Sequence, residues 1–403
     1  MNFKPQNYLS EADLINLDLY EYHGGEYSYI DNLLNPMWVK VAYMFPTWFA
    51  PNLITLSGLI INVVASLLVA HYDPMLLGQA PSWVYINAAI CLQIYATLDA
   101  ADGKQARRLN ASSPLGQIFD HGCDAVNLIF IIINSCSAVG LGIGKTTASV
   151  IVSMCACFVA AQLIEYQSNV LLAGSKFFGV TEAMLLVTLA SIITAIYGVE
   201  IWNIELKDYI PILRTIKGEV SGKHLLAIFM MFVVSLTCVV YAIQSFFRSS
   251  PIPEEKRGNK NLDRWSYLHR FIPLLCISIS GFYLLTSELM VEYPLYLIFL
   301  IGLTFAFLSI RVNIAHLCRR KLTWRFSGMY PLMFVAINHI FKIVRDSVVI
   351  PVCFCVFLIL FSSFVILTII QIKTHLHIRA FHVAAKMEYI VCFDSKHSIY
   401  GTS

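Results

Sequence analysis

The chain contains 403 residues, of which 58% are hydrophobic and only 13% are charged. This composition excludes an ordinary soluble globular protein. The formal net charge of +3 says little about partners by itself, and we expect a lipid bilayer as the surroundings and no nucleic acid as a partner. The sequence therefore predicts an all-α integral membrane protein.

The first 50 residues form a polar and aromatic segment that includes Tyr20, Tyr43 and Trp48. Amphipathic rings sit well at the level of the lipid headgroups. We therefore predict one or two amphipathic helices, over residues 1–50, that lie on the cytosolic leaflet. Pro51 and Asn52 should end this segment and begin the first membrane span.

Apolar runs of about 18 to 25 residues recur along the rest of the chain, and each is long enough to cross the hydrocarbon core as a helix. The first six spans make up a predicted unit, residues 51–247, and a polar connection follows. Residues 248–403 are predicted to contain four further spans and a short basic tail along the membrane surface. The predicted spans, about ten in all, lie near residues 53–72, 83–108, 114–139, 147–167, 180–199, 223–246, 269–287, 292–312, 328–345 and 347–372.

The basic residues predict an orientation for these spans. With the N-terminus in the cytosol, the loops after even-numbered spans contain lysines and arginines such as Arg107 and Arg108, whereas the turns near residues 73–82 and 287–294 contain none. Positively charged loops favour the cytosolic side of a membrane. This bias places the acidic segment that follows residue 98 near the cytosolic side.

The second and third spans are predicted to be antiparallel neighbours. The second should end near Arg108, and a short polar link separates it from Pro114. Ser113 suits the N-cap position, and Pro114 suits the first helical position because its missing N–H costs nothing there. Acidic side chains on the two helices can therefore approach each other.

Four aspartates occupy matching depths on these two spans. At about 1.5 Å of rise per residue, Asp99 and Asp124 lie about 14 to 15 Å from the cytosolic ends of their helices. Asp102 and Asp120 lie about 9 Å from those ends. Ionised groups at membrane depth are costly and are rare unless they bind something. The four carboxylates are therefore predicted to meet in level pairs.

Helical spacing supports the same interpretation. Asp99 and Asp102 share a face at i,i+3, while Asp120 and Asp124 continue an i,i+4 series from Gly116. Four bare aspartates so close together would repel one another. A pair of hard divalent cations would remove that repulsion, so the spacing predicts a site for two such ions.

Small residues and an arginine accompany the acidic cluster. Gly103, Ala106 and Gly116 carry little or no side chain, so a bulky phosphate ester could approach the backbone. Arg107 offers a forked donor for phosphate oxygens. Carboxylates, arginine and metal together suit phosphoryl transfer, in which paired metals can clamp the attacking and leaving oxygens.

Other interpretations also fit parts of the pattern. An intramembrane aspartate can make an interhelical hydrogen bond, and Arg107 with Arg108 can be a topology signal. Carboxylates inside a bundle can also line the path of a divalent-cation transporter. Against a transporter, the acidic residues lie near one face of the membrane, and no second acidic cluster continues the path.

The spacing D-x2-D-G-x2-A-R-x8-G-x3-D-x3-D resembles the signature of the CDP-alcohol phosphotransferases. The matching positions are Asp99, Asp102, Gly103, Ala106, Arg107, Gly116, Asp120 and Asp124. The flanking D-G-K-Q-A-R-R-L-N-A-S-S-P-L-G and F-D-H-G-C-D, with F-P-T-W-F-A-P-N-L-I-T-L-S-G at residues 45–58, are similar to the eukaryotic choline and ethanolamine phosphotransferases. The resemblance covers most of the chain, although its C-terminal part matches only in character.

This resemblance implies a reaction in which the hydroxyl of diacylglycerol attacks the β-phosphorus of CDP-choline or CDP-ethanolamine. CMP leaves, and phosphatidylcholine or phosphatidylethanolamine forms. Residues 51–247 would be the catalytic core, and two Mg²⁺ ions, with Mn²⁺ as a substitute, would bind Asp99, Asp102, Asp120 and Asp124. The resemblance also implies a homodimer in the endoplasmic reticulum, or in the Golgi, with its active site facing the cytosol.

The resemblance also implies roles for the other site residues. Arg107 would hold the diphosphate, and the small residues beside it would make room. Substrate contacts are expected from Asn52, Thr55, Gly103, Ala106, Arg107 and Gly116. For the first two, which match positions that line the nucleotide site, a helix cap and start signal is the alternative.

The acceptor hydroxyl needs a base, because an alcohol is a poor nucleophile at neutral pH. His121 occupies the histidine position of the family's F-D-H-G-C-D, and Glu182 resembles a carboxylate of the choline and ethanolamine branch that could orient it. Asp124 often has the base role in the wider family, so the assignment stays open. A rival branch that uses another acceptor alcohol is usually shorter and lacks this histidine.

Overall fold

The computed structural model describes residues 8–19, 27–168, 176–209, 215, 220–247 and 269–382. Within them the structure is helical, apart from an isolated bridge between Glu205 and Ser221. The predicted all-α class is therefore confirmed. The α-helices are α1 (Glu11–Asp18), α2 (Tyr29–Met44), α3 (Pro51–Tyr72), α4 (Ser82–Leu109), α5 (Pro114–Ala138), α6 (Lys145–Ser168), α7 (Val180–Tyr197), α8 (Gly222–Phe247), α9 (Ile272–Leu285), α10 (Leu289–Glu292), α11 (Pro294–Leu317), α12 (Tyr330–Phe341) and α13 (Asp346–His375).

Seven of the described helices, α3 to α7, α11 and α13, are long and apolar enough to cross a membrane. This finding confirms an integral membrane protein. Helices α8, α9 and α12 overlap the remaining predicted spans, but Gly222–Leu236 of α8 and the whole of α9 are shorter apolar stretches, and α12 has 12 residues. A count of about ten spans therefore stays a prediction.

Two helices, α1 and α2, lie in the N-terminal segment. Each begins with a capping box, formed by Ser10 with Asp13 and by Ser28 with Asp31. In this arrangement the serine oxygen and the acidic side chain each accept a hydrogen bond from a backbone N–H that would otherwise lack a partner. Helix α2 packs against α4. A location of these helices on the cytosolic leaflet stays a prediction, and Tyr20 lies outside the described residues.

One hydrophobic cluster joins the two predicted halves of the chain, since its members extend from Leu9 to Ile372. Helix α11 packs against α5 and α6. The close approach of α11 to α5 requires a glycine at position 302, because a Cβ on Gly302 would lie 2.5 Å from Cγ1 of Ile129. The later helices thus support α5, while most of the predicted boundary connection, residues 248–268, lies outside the described residues.

Buried polar side chains hold α3 against α5. The amide of Asn62 donates to Oδ1 of Asn127 at 2.7 Å, and the amide of Asn134 donates to Oγ of Ser66 at 2.9 Å. Interhelical hydrogen bonds of this kind contribute roughly 0.6 to 2 kcal/mol each in a membrane. They set the axial register of α5, and with it the depth of the acidic side chains that α5 carries.

Candidate active site

A tight polar turn joins the antiparallel helices α4 and α5. After α4 ends, Asn110 adopts a left-handed conformation with φ of 51°, which asparagine tolerates better than most residues. Helix α5 begins as predicted, because Oγ of Ser113 accepts from the Gly116 N–H at 3.1 Å and Pro114 is the first helical residue. The acidic stretches of the two helices therefore lie side by side.

Three carboxylates converge between α4 and α5. Asp99, Asp120 and Asp124 each offer an oxygen atom, and these atoms lie within 4.8 Å of one another. Oδ1 of Asp99 is buried and has no hydrogen-bond partner. Carboxylate oxygens gathered in this way suit a hard divalent cation, so the cluster could bind a metal ion.

Asp102 lies beside this group but is not one of the three converging residues. It is buried and accepts a hydrogen bond from the hydroxyl of Thr55 on α3. It follows Asp99 by three residues on α4, which places it next to the cluster. Thr55 is itself buried, so its contact here is with an aspartate predicted to bind metal. The nucleotide contact that the family resemblance implies for Thr55 stays a prediction.

Tyr95 belongs to the site, although nothing in the motif singled it out. Its hydroxyl donates a hydrogen bond to Oδ1 of Asp124, and its side chain is fully buried. Tyr95 precedes Asp99 by four residues, so both lie on one face of α4. That spacing was the available signal in the sequence.

Two glycines of the motif lie beside other predicted substrate-binding residues. A Cβ on Gly103 would lie 3.6 Å from Nη1 of Arg107, and a Cβ on Gly116 would lie 3.5 Å from Oγ of Ser113 and 3.7 Å from Oδ1 of Asn52. The predicted substrate-binding residues are therefore neighbours in pairs. A side chain at either glycine would touch a polar group of its neighbour.

Other residues of the motif fasten α4 to the chain that precedes α3. The side-chain amide of Gln105 donates to the carbonyl of Phe49 at 3.3 Å, and Arg108 donates to the carbonyl of Phe45 at 3.0 Å. The carbonyl of Ala106 accepts from the α4–α5 link at 2.8 Å and closes the end of the helix. Arg108 is thus a structural residue, whereas Arg107 is exposed beside Gly103.

Besides Asp124, the two other candidates for the general base lie on different helices. His121 on α5 is buried, and its Nδ1 has no hydrogen-bond partner. Glu182 on α7 accepts from the Gly179 N–H at 2.8 Å through Oε2, while its buried Oε1 has no partner. Among the described residues, no hydrogen bond joins His121 to Glu182, so the base assignment stays open.

An apolar cavity of about 390 Å³ adjoins the acidic cluster. It lies among α5, α6, α7 and α8, and its walls include Leu128, Phe158 and Met184. Tyr95 and Asp124 line the same cavity. A largely apolar cavity with a few polar groups is typical of a ligand site. Asp124 therefore belongs both to the carboxylate cluster and to the wall of an apolar chamber.

The helical bundle, the converging carboxylates and the neighbouring arginine define an integral membrane protein whose site suits a metal ion and a phosphate ester. Comparison with known proteins identifies the family. The sequence pattern described as CDP-alcohol phosphatidyltransferase matches residues 48–210. This range contains every residue of the predicted site, from Asn52 to Glu182.

Curated relatives match over most of the chain. It is 31% identical to a Dictyostelium discoideum protein named Uncharacterized CDP-alcohol phosphatidyltransferase class-I family protein 2. The match extends over 385 residues, which are 93% of this chain and 88% of that protein. It is 32% identical to Choline/ethanolaminephosphotransferase 1 of Arabidopsis thaliana, over 77% of this chain and 79% of that protein. It is 28% identical to Cholinephosphotransferase 1 of Xenopus laevis, over 94% and 92% of the two chains. The protein belongs to the CDP-alcohol phosphatidyltransferase family.

Addition of Mg²⁺ or Mn²⁺ should raise the unfolding temperature of the purified protein, because a ligand that binds only the folded state stabilises it. Asp99→Asn should remove most of this rise. Intrinsic fluorescence during heating in detergent measures both effects. The control is Glu200→Gln, which changes an exposed carboxylate outside the cluster and should keep the full rise. An undiminished rise in Asp99→Asn would contradict metal binding at this cluster.

Proposed function

We propose that this protein transfers phosphocholine or phosphoethanolamine from the corresponding CDP-alcohol to diacylglycerol, giving phosphatidylcholine or phosphatidylethanolamine and CMP. The observation that carries the proposal is the position of Asp124. It lies in the carboxylate cluster and also lines the apolar cavity. A charged nucleotide diphosphate and an apolar lipid can therefore meet at one point.

The names of two relatives support the same chemistry, since one is named a choline/ethanolaminephosphotransferase and the other a cholinephosphotransferase. The proposed cofactors are two Mg²⁺ ions, with Mn²⁺ as an alternative. Asp99, Asp102, Asp120 and Asp124 would hold them. Bound there, the ions would stabilise negative charge on the phosphoryl oxygens.

The nucleotide diphosphate is proposed to bind on the cytosolic side of the cluster. Arg107, over Gly103, can donate two parallel hydrogen bonds to phosphate oxygens. Asn52 and Gly116, which lie side by side, would contact the rest of the nucleotide, and Ala106 adds only a methyl group. Thr55 takes part through Asp102, because its hydroxyl orients that carboxylate.

During transfer, the lipid hydroxyl oxygen forms a bond to the β-phosphorus while the bond to the CMP oxygen breaks. The hydroxyl proton must pass to a base. Asp124 lines the cavity from which the hydroxyl would arrive, and His121 follows Asp120 directly in the sequence. Glu182 could orient or relay for His121 through its unpartnered Oε1. These three residues are the proposed catalytic groups.

The protein is proposed to act in the endoplasmic reticulum membrane, with the Golgi as an alternative. Its site would open to the cytosol, as the distribution of basic residues favours. Diacylglycerol would arrive from within the bilayer, and the CDP-alcohol from the cytosol. A homodimer is proposed from the family resemblance.

Two rival functions make different demands on the structure. A phosphotransferase for another alcohol would use the same metal cluster and differ only in the acceptor. A divalent-cation transporter would need acidic ligands that continue across the membrane. Beyond the cluster, Asn62, Asn127 and Ser66 between α3 and α5 carry amides and a hydroxyl and are engaged in hydrogen bonds. The buried Asp73 at the far end of α3 already accepts from Oγ of Ser137 and from two backbone N–H groups. This arrangement favours the enzyme.

The function is tested by release of CMP from CDP-choline or CDP-ethanolamine in the presence of diacylglycerol and Mg²⁺. Asp120→Ala should lower turnover at least about a hundredfold, since metal stabilisation of the transition state amounts to several kcal/mol. Glu200→Gln is the control and should turn over normally. Absence of CMP release, together with metal flux in vesicles, would support the transporter. Competition between the two CDP-alcohols identifies the preferred headgroup.

His121→Ala should slow the chemical step by about a hundredfold or more, as expected for loss of a general base. Binding of the CDP-alcohol should change little. Single-turnover kinetics and equilibrium binding separate these effects. The matched control is His339→Ala, because His339 is also buried but is paired with Asp346 on α13. Weaker nucleotide binding with a normal chemical step would contradict the base role of His121.

Ala183→Phe should raise the KM for diacylglycerol by about tenfold, because Ala183 lines the apolar cavity and hydrophobic pockets discriminate on this scale. The KM for the CDP-alcohol should stay the same. Ile196→Phe is the control, since Ile196 lies on the same helix but is 64% exposed and outside the cavity wall. Equal changes in both KM values would argue against a lipid site in this cavity.

A further inference from the structure

The chain turns sharply after α13 and does not simply leave the bundle. The Leu376 N–H donates to the carbonyl of Ile372 at 2.9 Å, and the Ile378 N–H donates to the carbonyl of Lys373 at 3.1 Å. Between them, His377 has a φ of 53°, in the left-handed region that closes helix ends. This turn therefore fixes the direction of the segment of residues 376–381, which we name the C-terminal strap.

Packing holds the C-terminal strap and the end of α13 in place. Leu376, Ile378 and Ala380 pack against the main hydrophobic cluster. The neighbouring N-terminal segment is also attached here, because Oε1 of Gln371 accepts from the Tyr8 N–H at 3.0 Å. The strap is thus part of the folded structure. The predicted location of the basic tail along the membrane surface stays a prediction.

The strap contacts the two helices that carry the predicted nucleotide and metal residues. The carbonyl of Ala380 accepts from Nδ2 of Asn52, at the start of α3, at 2.9 Å. The ring of Phe381 meets the ring of Phe119 edge-on, with centroids 5.6 Å apart. Phe119 directly precedes Asp120 on α5. Both contacts therefore lie next to residues that the proposed reaction uses.

The contact with Ala380 determines what Asn52 can offer to a ligand. A carbonyl oxygen only accepts hydrogen bonds, so the amide nitrogen of Asn52 must point toward Ala380. Oδ1 then faces Gly116, 3.7 Å from the position that a Cβ would occupy. Asn52 is only half-buried, so this oxygen is an acceptor that a ligand could reach, which suits an amino or hydroxyl group of a nucleoside.

We propose that Ala380 and Phe381 are positioning residues for the CDP-alcohol: the strap orients Asn52 so that its Oδ1 accepts a hydrogen bond from the nucleoside part of the substrate. This inference rests on the proposed function. It connects the end of the last long helix to the nucleotide side of the site, although the strap lies far outside residues 48–210, the part that matches the family pattern.

The first test is Phe381→Ala in the full chain. Loss of an edge-on aromatic pair should raise the KM for CDP-choline or CDP-ethanolamine about three- to tenfold, while the KM for diacylglycerol and the unfolding temperature change little. Phe381→Tyr keeps the ring and should restore the wild-type KM. Ile370→Ala is the control, because Ile370 lies near the same end of α13 and is about as exposed as Phe381, at 44% and 47%, but has no ring to pair with Phe119. A general loss of activity with unchanged KM values would overturn the proposal.

The second test uses Asn52→Asp, which cannot donate to the Ala380 carbonyl. In this background Phe381→Ala should have little further effect on the KM for the CDP-alcohol, because the orienting contact is already lost. If the two effects multiply as independent changes, the proposal fails. Measurement of the same KM in the single and double variants decides between these outcomes.

Amide hydrogen exchange across residues 376–381 tests the contact between the strap and Asn52 independently of the reaction. Asn52→Asp should increase exchange in this segment whether or not the protein turns over a CDP-alcohol. Increased exchange in Asn52→Asp, together with no CMP release by the wild-type protein, would support the strap contact and overturn the proposed function. Normal CMP release with unchanged exchange and KM would overturn the role of the strap alone.

Discussion

The convergence of Asp99, Asp120 and Asp124 is the constraint on which the rest of the structure depends. Like charges at this spacing repel, and a membrane interior offers little water to screen them. A cation among the three oxygens would turn the repulsion into a stabilising interaction. The proposed metal ions would then hold α4 and α5 together as well as serve the reaction, so that loss of metal should loosen the site.

The surrounding contacts keep these carboxylates at one depth. Gln105 and Arg108 attach the C-terminal end of α4 to the backbone before α3. The pair Asn62–Asn127 fixes α5 against α3, and Gly302 lets α11 press closely on α5 from the other side. The residues of this short motif and of its flanks therefore have two kinds of role. Some lie at the predicted ligand site, and others attach α4 to the neighbouring backbone.

Local physical chemistry made much of this site predictable from the sequence. Helical rise and i,i+4 spacing placed Asp120 and Asp124 beside α4, and cap chemistry placed the start of α5 at Pro114. Contacts between residues distant in sequence were not predictable in this way. The bond of Thr55 to Asp102 and that of Asn52 to Ala380 depend on how whole helices pack. The same dependence explains why the number of spans in the later part stays open.

The sharing of Asp124 between the cluster and the cavity has a consequence for side reactions. Water that reaches the cluster could attack the same phosphorus as the lipid and would hydrolyse the donor wastefully. On the lipid side, however, the walls are apolar, with Leu128 and Met184 among them, and the Tyr95 hydroxyl is engaged with Asp124. A dry approach of this kind disfavours a water nucleophile. The fold would thereby select an alcohol dissolved in the membrane over the far more concentrated solvent.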